Sequence, residues 1–279
     1  NAYNTSVFAR DATQISFTEF NDTLFFGNES LGLYCYRPSA FIGNTCKAID
    51  TIRSEAQTSG VGESSIISKL NLVNGAFADA YSYLTLIANV KGLSKLGNRL
   101  VYLTDNALYF SDNNYPSSVV AGHILSLPTE SPITACREIN GNLLVFTKNE
   151  TFLYQPTQGF FVNAGQLTKI SESVGCLSIN SITMFDNVVA WVSDTGVYTN
   201  TGNLQVSPIS DNIKPFFNSY LPNPLSSFRT QNGKANQIYK MPKISHQLDD
   251  TRVTLCYSTP LKALMITIPK ERITLVHNN

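Results

Sequence analysis

The side chains that could do chemistry are few and widely spaced. The three histidines, His123, His246 and His277, share no HExxH or HxH pattern, so they do not read as zinc ligands. The five cysteines, Cys35, Cys46, Cys136, Cys176 and Cys256, form no CxxC pair. That spacing supplies neither a zinc cage nor a redox dithiol; the expectation is isolated thiols buried in strands, with a Cys35–Cys46 disulfide as the alternative. No GxSxG elbow, phosphate loop or dinucleotide fingerprint occurs. Gly97-Asn98 and Gly141-Asn142 read as turn residues, and Asp105, Asp186 and Asp194 fall where Asp caps its own backbone in a turn. The sequence therefore assigns no catalytic, cofactor-binding or metal-binding residue, expects no cofactor, and does not read as an enzyme.

Weaker candidates remain. Ser111-Asp-Asn-Asn114 and Ser193-Asp-Thr-Gly196 match the Asp-box turn of sialidases only loosely, and neither carries the Trp that follows it. The aromatics Tyr115, Phe160 and Phe161 read either as a sugar- or partner-binding surface or as contacts between sheets. Two basic clusters, Lys91, Lys95 and Arg99, and Lys234, Lys240 and Lys243, are candidate channel or interface charges, with solvated loop charges as the blander expectation. Sequons at Asn4, Asn21, Asn28 and Asn149 arise easily by chance in a chain this rich in Asn, and carry no weight.

The elements that must position these residues are strands. Of 279 residues 43% are hydrophobic and 14% charged, with 20 basic residues against 20 acidic ones. That is ample apolar material for a core and excludes a disordered chain. Zero net charge argues against a globally basic nucleic-acid binder. No apolar run approaches the roughly 18 residues a membrane helix needs. The chain begins at Asn1 rather than Met, which reads as processing or as a fragment of something longer.

One unit recurs four times: an apolar strand, a tight Asn/Gly turn, a second strand, another turn, and a strand rich in Tyr. The copies run Ile15–Phe20, Thr23–Phe26 and Leu33–Tyr36; Leu96, Arg99–Leu103 and Ala107–Phe110; Ala135–Ile139, Asn142–Phe146 and Thr151–Tyr154; Ser181–Phe185, Val188–Val192 and Gly196–Tyr198. Asn-Gly and Asp-Asn tolerate the positive φ that two-residue hairpin turns demand. The turns at Asn98, Asn142 and Asn187 lie 44 and 45 residues apart, the period of propeller blades. The predicted fold is an all-β propeller of blades of about 40–50 residues, whose ring this chain need not close.

Residues 1–40 read as an N-terminal blade and 93–205 as central blades. Residues 41–92, with the polar stretch Ser54–Ser65 and a strand-like tract over Tyr81–Val90, read as an insertion or a degenerate blade. Residues 206–279 form a Pro-rich connector, with one short capped helix predicted over Ser210–Phe217, and then the last strands, Val253–Tyr257, Ala263–Ile268 and Arg272–Val276.

A set of local strings resembles a known family. Asn106-Ala-Leu-Tyr-Phe-Ser-Asp-Asn-Asn-Tyr-Pro116, Asn142 to Tyr154, Lys169-Ile-Ser-Glu-Ser-Val-Gly-Cys-Leu-Ser178, Gly196-Val-Tyr198 and Val206-Ser-Pro-Ile-Ser-Asp-Asn-Ile213 occur in the order seen in tail nozzle proteins of short-tailed bacteriophages, also called tail tubular B or packaged-DNA-stabilisation proteins. The resemblance covers about residues 94–218, and the N-terminal blade more weakly. It implies a structural protein of the virion tail that forms a homo-oligomeric ring, commonly of six copies. Such a ring sits below the portal and a head-tail adaptor ring, continues the DNA channel, retains the packaged genome and carries tail fibre or spike proteins. Genomic DNA would pass without sequence-specific contacts, and no membrane span is expected. Overall neutrality suits such a conduit, because each Lys or Arg on a phosphate adds affinity. The alternative is a carbohydrate-binding or sialidase-like propeller on a virion surface.

Overall fold

The computed structural model describes residues 15–20, 23–28, 32–36, 67–69, 73–74, 85–86, 90–111, 113, 118–119, 123–157, 162–211, 253–268 and 273–278. The helix predicted over Ser210–Phe217 lies outside them except for its first two residues. No helix among the described residues is long and apolar enough to cross a membrane.

The fold is an all-β propeller. Its first blade is β1 (Ser16–Phe20), β2 (Thr23–Asn28), β3 (Gly32–Tyr36) and β4 (Ile67–Lys69), hydrogen-bonded in that order. Two short strands follow, β5 (Val73–Asn74) and β6 (Thr85–Leu86). The second blade is β7 (Gly92–Leu96), β8 (Arg99–Leu103), β9 (Ala107–Phe110) and, after β10 (Ser118–Val119), β11 (Ile124–Ser126). β10 leaves this blade and pairs parallel with β5, which also pairs with β6. The third blade is β12 (Ile133–Ile139), β13 (Asn142–Thr147), β14 (Thr151–Gln155) and β15 (Gln166–Ser171). The fourth is β16 (Ile182–Phe185), β17 (Val188–Ser193), β18 (Gly196–Asn200) and β19 (Ser207–Pro208). A three-stranded sheet ends the series: β20 (Thr254–Ser258), β21 (Ala263–Ile268) and β22 (Ile273–Asn278).

The hairpins form because their turn residues take the required backbone. Asn140 and Gly141 have φ of 49° and 76°, and Asp186 and Asn187 have 44° and 59°, the mirror-image turn whose twist matches paired strands. Register follows: Ile139 sits opposite Asn142, and Phe185 opposite Val188. The β4, β11, β15 and β19 strands have no counterpart in the three-strand unit read from sequence. They are short or polar on the outside of each blade: β15 has no buried residue, and β19 is two residues long and includes Pro208. Such edges carry no hydrophobic pattern to read.

Each blade packs face to face on the next, and the fourth on the last sheet, and strand alternation sends neighbouring side chains to opposite junctions. On β8, Leu100 and Tyr102 join Phe20 and Phe25 of the first blade, while Val101 and Leu103 join Leu143, Val145, Phe152 and Tyr154 of the third. On β13, Leu144 and Phe146 turn the other way, to Val189 and Trp191 of the fourth blade. On β17, Ala190 and Val192 complete the series against Leu255, Leu264, Ile266 and Ile268 of the last sheet. Four cores thus join five sheets in chain order.

The cysteines depart in part from expectation. Cys136 is buried in β12 as predicted, but Cys176 is buried in the connection after β15, and Cys256 is exposed on the edge strand β20. Cys176 is buried because its connection is folded back over the β13–β14 turn, where its N–H donates to the Thr147 carbonyl at 2.9 Å. The Cys35–Cys46 alternative falls on side chains outside those described.

Candidate functional site

In each of the four blades and in the last sheet the strand that comes first in the chain is an edge strand: β1, β7, β12, β16 and β20. These first strands run beside one another, β1 against β7, β7 against β12 and β16 against β20. Ser16 pins the first pair: its hydroxyl accepts from the Leu93 N–H at 2.8 Å and donates to the Leu93 carbonyl at 3.1 Å. Where they converge they enclose a cleft of about 480 Å³, lined by Phe17, Thr18 and Glu19 of β1, Ser94 and Lys95 of β7, Arg137, Glu138 and Ile139 of β12, the Asn140-Gly141 turn and Met184 of β16.

The lining is a product of register. The residue two places before the first turn is Glu19, Lys95, Glu138 or Met184 in successive blades, standing opposite Leu24, Leu100, Leu143 and Val189. Of these partners Leu100, Leu143 and Val189 sink between blades and Leu24 is half-buried, whereas on the first strands the same position faces the cleft. Glu138 accepts a hydrogen bond from the Gly97 N–H at 3.2 Å, tying two blades together at the rim. Glu19, Lys95 and Arg137 form no ion pair among the described residues. Phe17 is 56% exposed and Met184 43% exposed.

The remaining reactive side chains serve the framework. Burial pushes the Cys136 thiol up to about 12, against a hydrogen bond from Ser94 and the charge of Arg137 that pull the other way. Burial does the same to Cys176, also up to about 12, against hydrogen bonds with Ser181 and the Ser178 backbone. Neither is a nucleophile at neutral pH. His123 is fully buried, with Nδ1 3.2 Å from Arg99 Nη1, and the same guanidinium donates to the Ser111 carbonyl at 2.6 Å. Together they fasten β8 to the chain that follows β9. His277 lies on β22, and no group of three or more metal-ligating side chains gathers among the described residues. Asp105 pairs with Lys91, Asp194 accepts from the Ser193 hydroxyl at 3.1 Å, and Asp186 forms the β16–β17 turn.

The first basic cluster is thus divided, and it corrects the reading of its members as loop charges. Lys95 stands on β7 in the cleft, Arg99 is half-buried on β8 and held by Ser111 and His123, and Lys91 is ion-paired beside β7. The hairpin starts earlier and runs more regularly than the charges suggested. Tyr115, Phe160, Phe161, His246, Lys234, Lys240 and Lys243 fall outside the described residues. Sequence reasoning did not single out Phe17, Glu19, Arg137, Glu138 or Met184. For Glu19, Glu138 and Met184 the signal was a charged or exposed residue interrupting the apolar first strand two places before the turn; Phe17 and Arg137 stand at other distances from it.

No family model and no curated protein matches the chain. Similar solved structures include BamB from Moraxella catarrhalis, at a TM-score of 0.39 and 12% identity over 69% of this chain and 42% of that one. The computationally designed Ika4 protein gives 0.39 and 11% over 74% and 96%. The extracellular domain of the hybrid two component system BT4673 from B. thetaiotaomicron gives 0.45 and 12% over 94% and 26%. The chain therefore spans under half of the BamB chain it matches. The class is set by the molecule's own architecture: successive four-stranded antiparallel blades, stacked through shared cores, with first strands gathered at a cleft.

Proposed function

We propose that this chain is a non-enzymatic structural propeller of a bacteriophage tail, a subunit of a ring-forming nozzle that extends the portal-adaptor channel and retains packaged DNA. One observation carries the reading. Over their described residues, the strings that resemble tail nozzle proteins fall in chain order on blade strands: the first on β9, the second on β13 and β14, the third on β15 and the connection after it, the fourth on β18 and the last on β19. The strings thus lie on second, third and fourth strands of three successive blades, which supports the reading. A framework whose buried thiols, histidine and serines are spent on holding blades together suits a load-bearing subunit, in which chemistry is not the task.

Mass photometry of the full-length gene product, alone and with its head-tail adaptor ring, tests this. A discrete ring-sized species, above all one appearing only with the adaptor, is the expected result. A monomer under both conditions overturns the assembly reading and turns attention to glycan binding.

A further inference from the structure

The cleft between the first strands holds two cations that the fold leaves unspent. Lys95 from the second blade and Arg137 from the third are exposed and without an ion pair among the described residues, although Glu19 and Glu138 line the same cleft. Glu138 is engaged with the Gly97 N–H at 3.2 Å. Blade order around the cleft places these cations in the middle and an apolar side chain on either side: Phe17 of the first blade, 56% exposed, and Met184 of the fourth, 43% exposed. Leaving two large apolar groups in water beside two unpaired charges forfeits free energy that a ligand would recover. The volume of about 480 Å³ lies within the range of ligand sites, and the first strands are sheet edges with no strand paired on one side, although Ser16 already takes the Leu93 N–H and carbonyl on β7.

We propose that this cleft binds a short extended peptide segment of apolar–acidic–apolar pattern. The carboxylate sits between Lys95 and Arg137, the flanking side chains rest on Phe17 and Met184, and the peptide backbone hydrogen-bonds to the open strand edges. The proposal does not depend on ring assembly. It also makes Glu19 a repulsive neighbour of the ligand.

Fluorescence polarisation on the full chain tests it, with a fluorescein-labelled Gly-Ser-Leu-Asp-Phe-Ser-Gly peptide and its counterparts carrying Asn or Lys in place of Asp. The Asp peptide is expected to bind, more weakly as salt rises. The Asn peptide should lose at least about tenfold, because its amide forfeits the charge that faces both Lys95 and Arg137. The Lys peptide should not bind. Lys95→Ala and Arg137→Ala should each weaken the Asp peptide about tenfold with thermal melting unchanged, because both side chains are exposed. Glu19→Gln should tighten it, and Lys262→Ala, in the β20–β21 turn, should have no effect. The proposal is overturned by equal binding of the Asp and Asn peptides, by no binding of either, by a Lys95→Ala, Arg137→Ala double variant that binds like the parent, or by 3′-sialyllactose binding where the peptide does not.

Discussion

The third blade and the last sheet are made from the same hairpin and differ in what covers them. On β13 every residue after Asn142 is buried, Leu143 and Val145 against the second blade and Leu144 and Phe146 against the fourth. On β21 only the side facing the fourth blade is filled, by Leu264, Ile266 and Ile268; Met265 and Thr267 between them are half-buried, and Val276 beside them on β22 is 57% exposed. A sheet covered on both faces reads as a continuous apolar run, and one covered on a single face reads as alternation. Position in the stack therefore decides how much each side chain contributes, more than its residue type does.

Truncating a middle side chain breaks the comparison most sharply. Phe146 is fully buried with its ring centroid 4.9 Å from that of Trp191, so Phe146→Ala should lower stability by about 3–5 kcal/mol. Val276→Ala should stay within about 0.5 kcal/mol. Urea unfolding followed by circular dichroism reads both, and similar costs at the two sites would mean that the last sheet is covered as fully as the third.

Two glycines give the next largest contrast. A Cβ on Gly175 would meet the Thr147 carbonyl oxygen and the Lys148 backbone at 2.3 Å, in the connection that crosses from the third blade to the fourth. Backbone cannot swing aside as a side chain does, so Gly175→Ala should cost about 1–3 kcal/mol. Gly97, in the β7–β8 turn, has nothing within 4 Å of its Cβ position and is held by φ of +53° alone. Gly97→Ala should then cost about 1 kcal/mol, the penalty of an L-residue in that region. The inverse ranking would place the strain in the turn and not in the crossing.

The same contrast explains what was legible beforehand. Hairpins were readable because Asn140-Gly141 and Asp186-Asn187 can adopt a backbone that most residues resist, and because sheets covered on both faces produce unbroken apolar runs such as Leu143–Phe146. Outer strands were not, since β11 is three residues long and β19 two, too short at the blade edges to show any alternation. The cleft was harder still. Glu19, Lys95, Glu138 and Met184 come from four strands in separate copies, and only register around a common axis unites them. Lys95 drew attention as part of a basic cluster, yet its cluster neighbours Lys91 and Arg99 turned out to be spent on Asp105 and on Ser111.

A smaller effect separates packing from polarity within the middle junction. Trp191 is fully buried, and its indole Nε1 has no hydrogen-bond partner among the described residues. A stranded buried donor costs about 1–3 kcal/mol. Trp191→Phe removes that donor along with part of the ring volume, so the two changes offset and the net effect should be within about 1 kcal/mol. This is the only Trp in the chain, so the melt must be followed by circular dichroism. A loss as large as that of Phe146→Ala would mean that the N–H is satisfied in solution.

The smallest expected effect is electrostatic and also sits in the third blade. Hydrogen bonds from the Lys169 ammonium, at 2.7 Å, and from the Thr129 hydroxyl hold the Glu150 carboxyl below the ordinary glutamate value. With the folded value lowered, the unfolded chain takes up a proton first as pH falls. The stabilisation is therefore complete above the unfolded value of about 4.3 and is lost as pH drops through the folded one. Lys169 is well solvated, which keeps the gain small and salt-sensitive. The difference in melting temperature between the parent and Glu150→Gln should be largest at neutral pH and low salt, and vanish in acid. No described residue of the last sheet forms an ion pair, so the equivalent loss there, tested by Lys262→Gln, should show no such pH dependence. If Glu150→Gln melted at a constant offset from the parent across that pH range, its contribution would be a neutral hydrogen bond to Thr129, and the charge of Lys169 would be irrelevant to the fold.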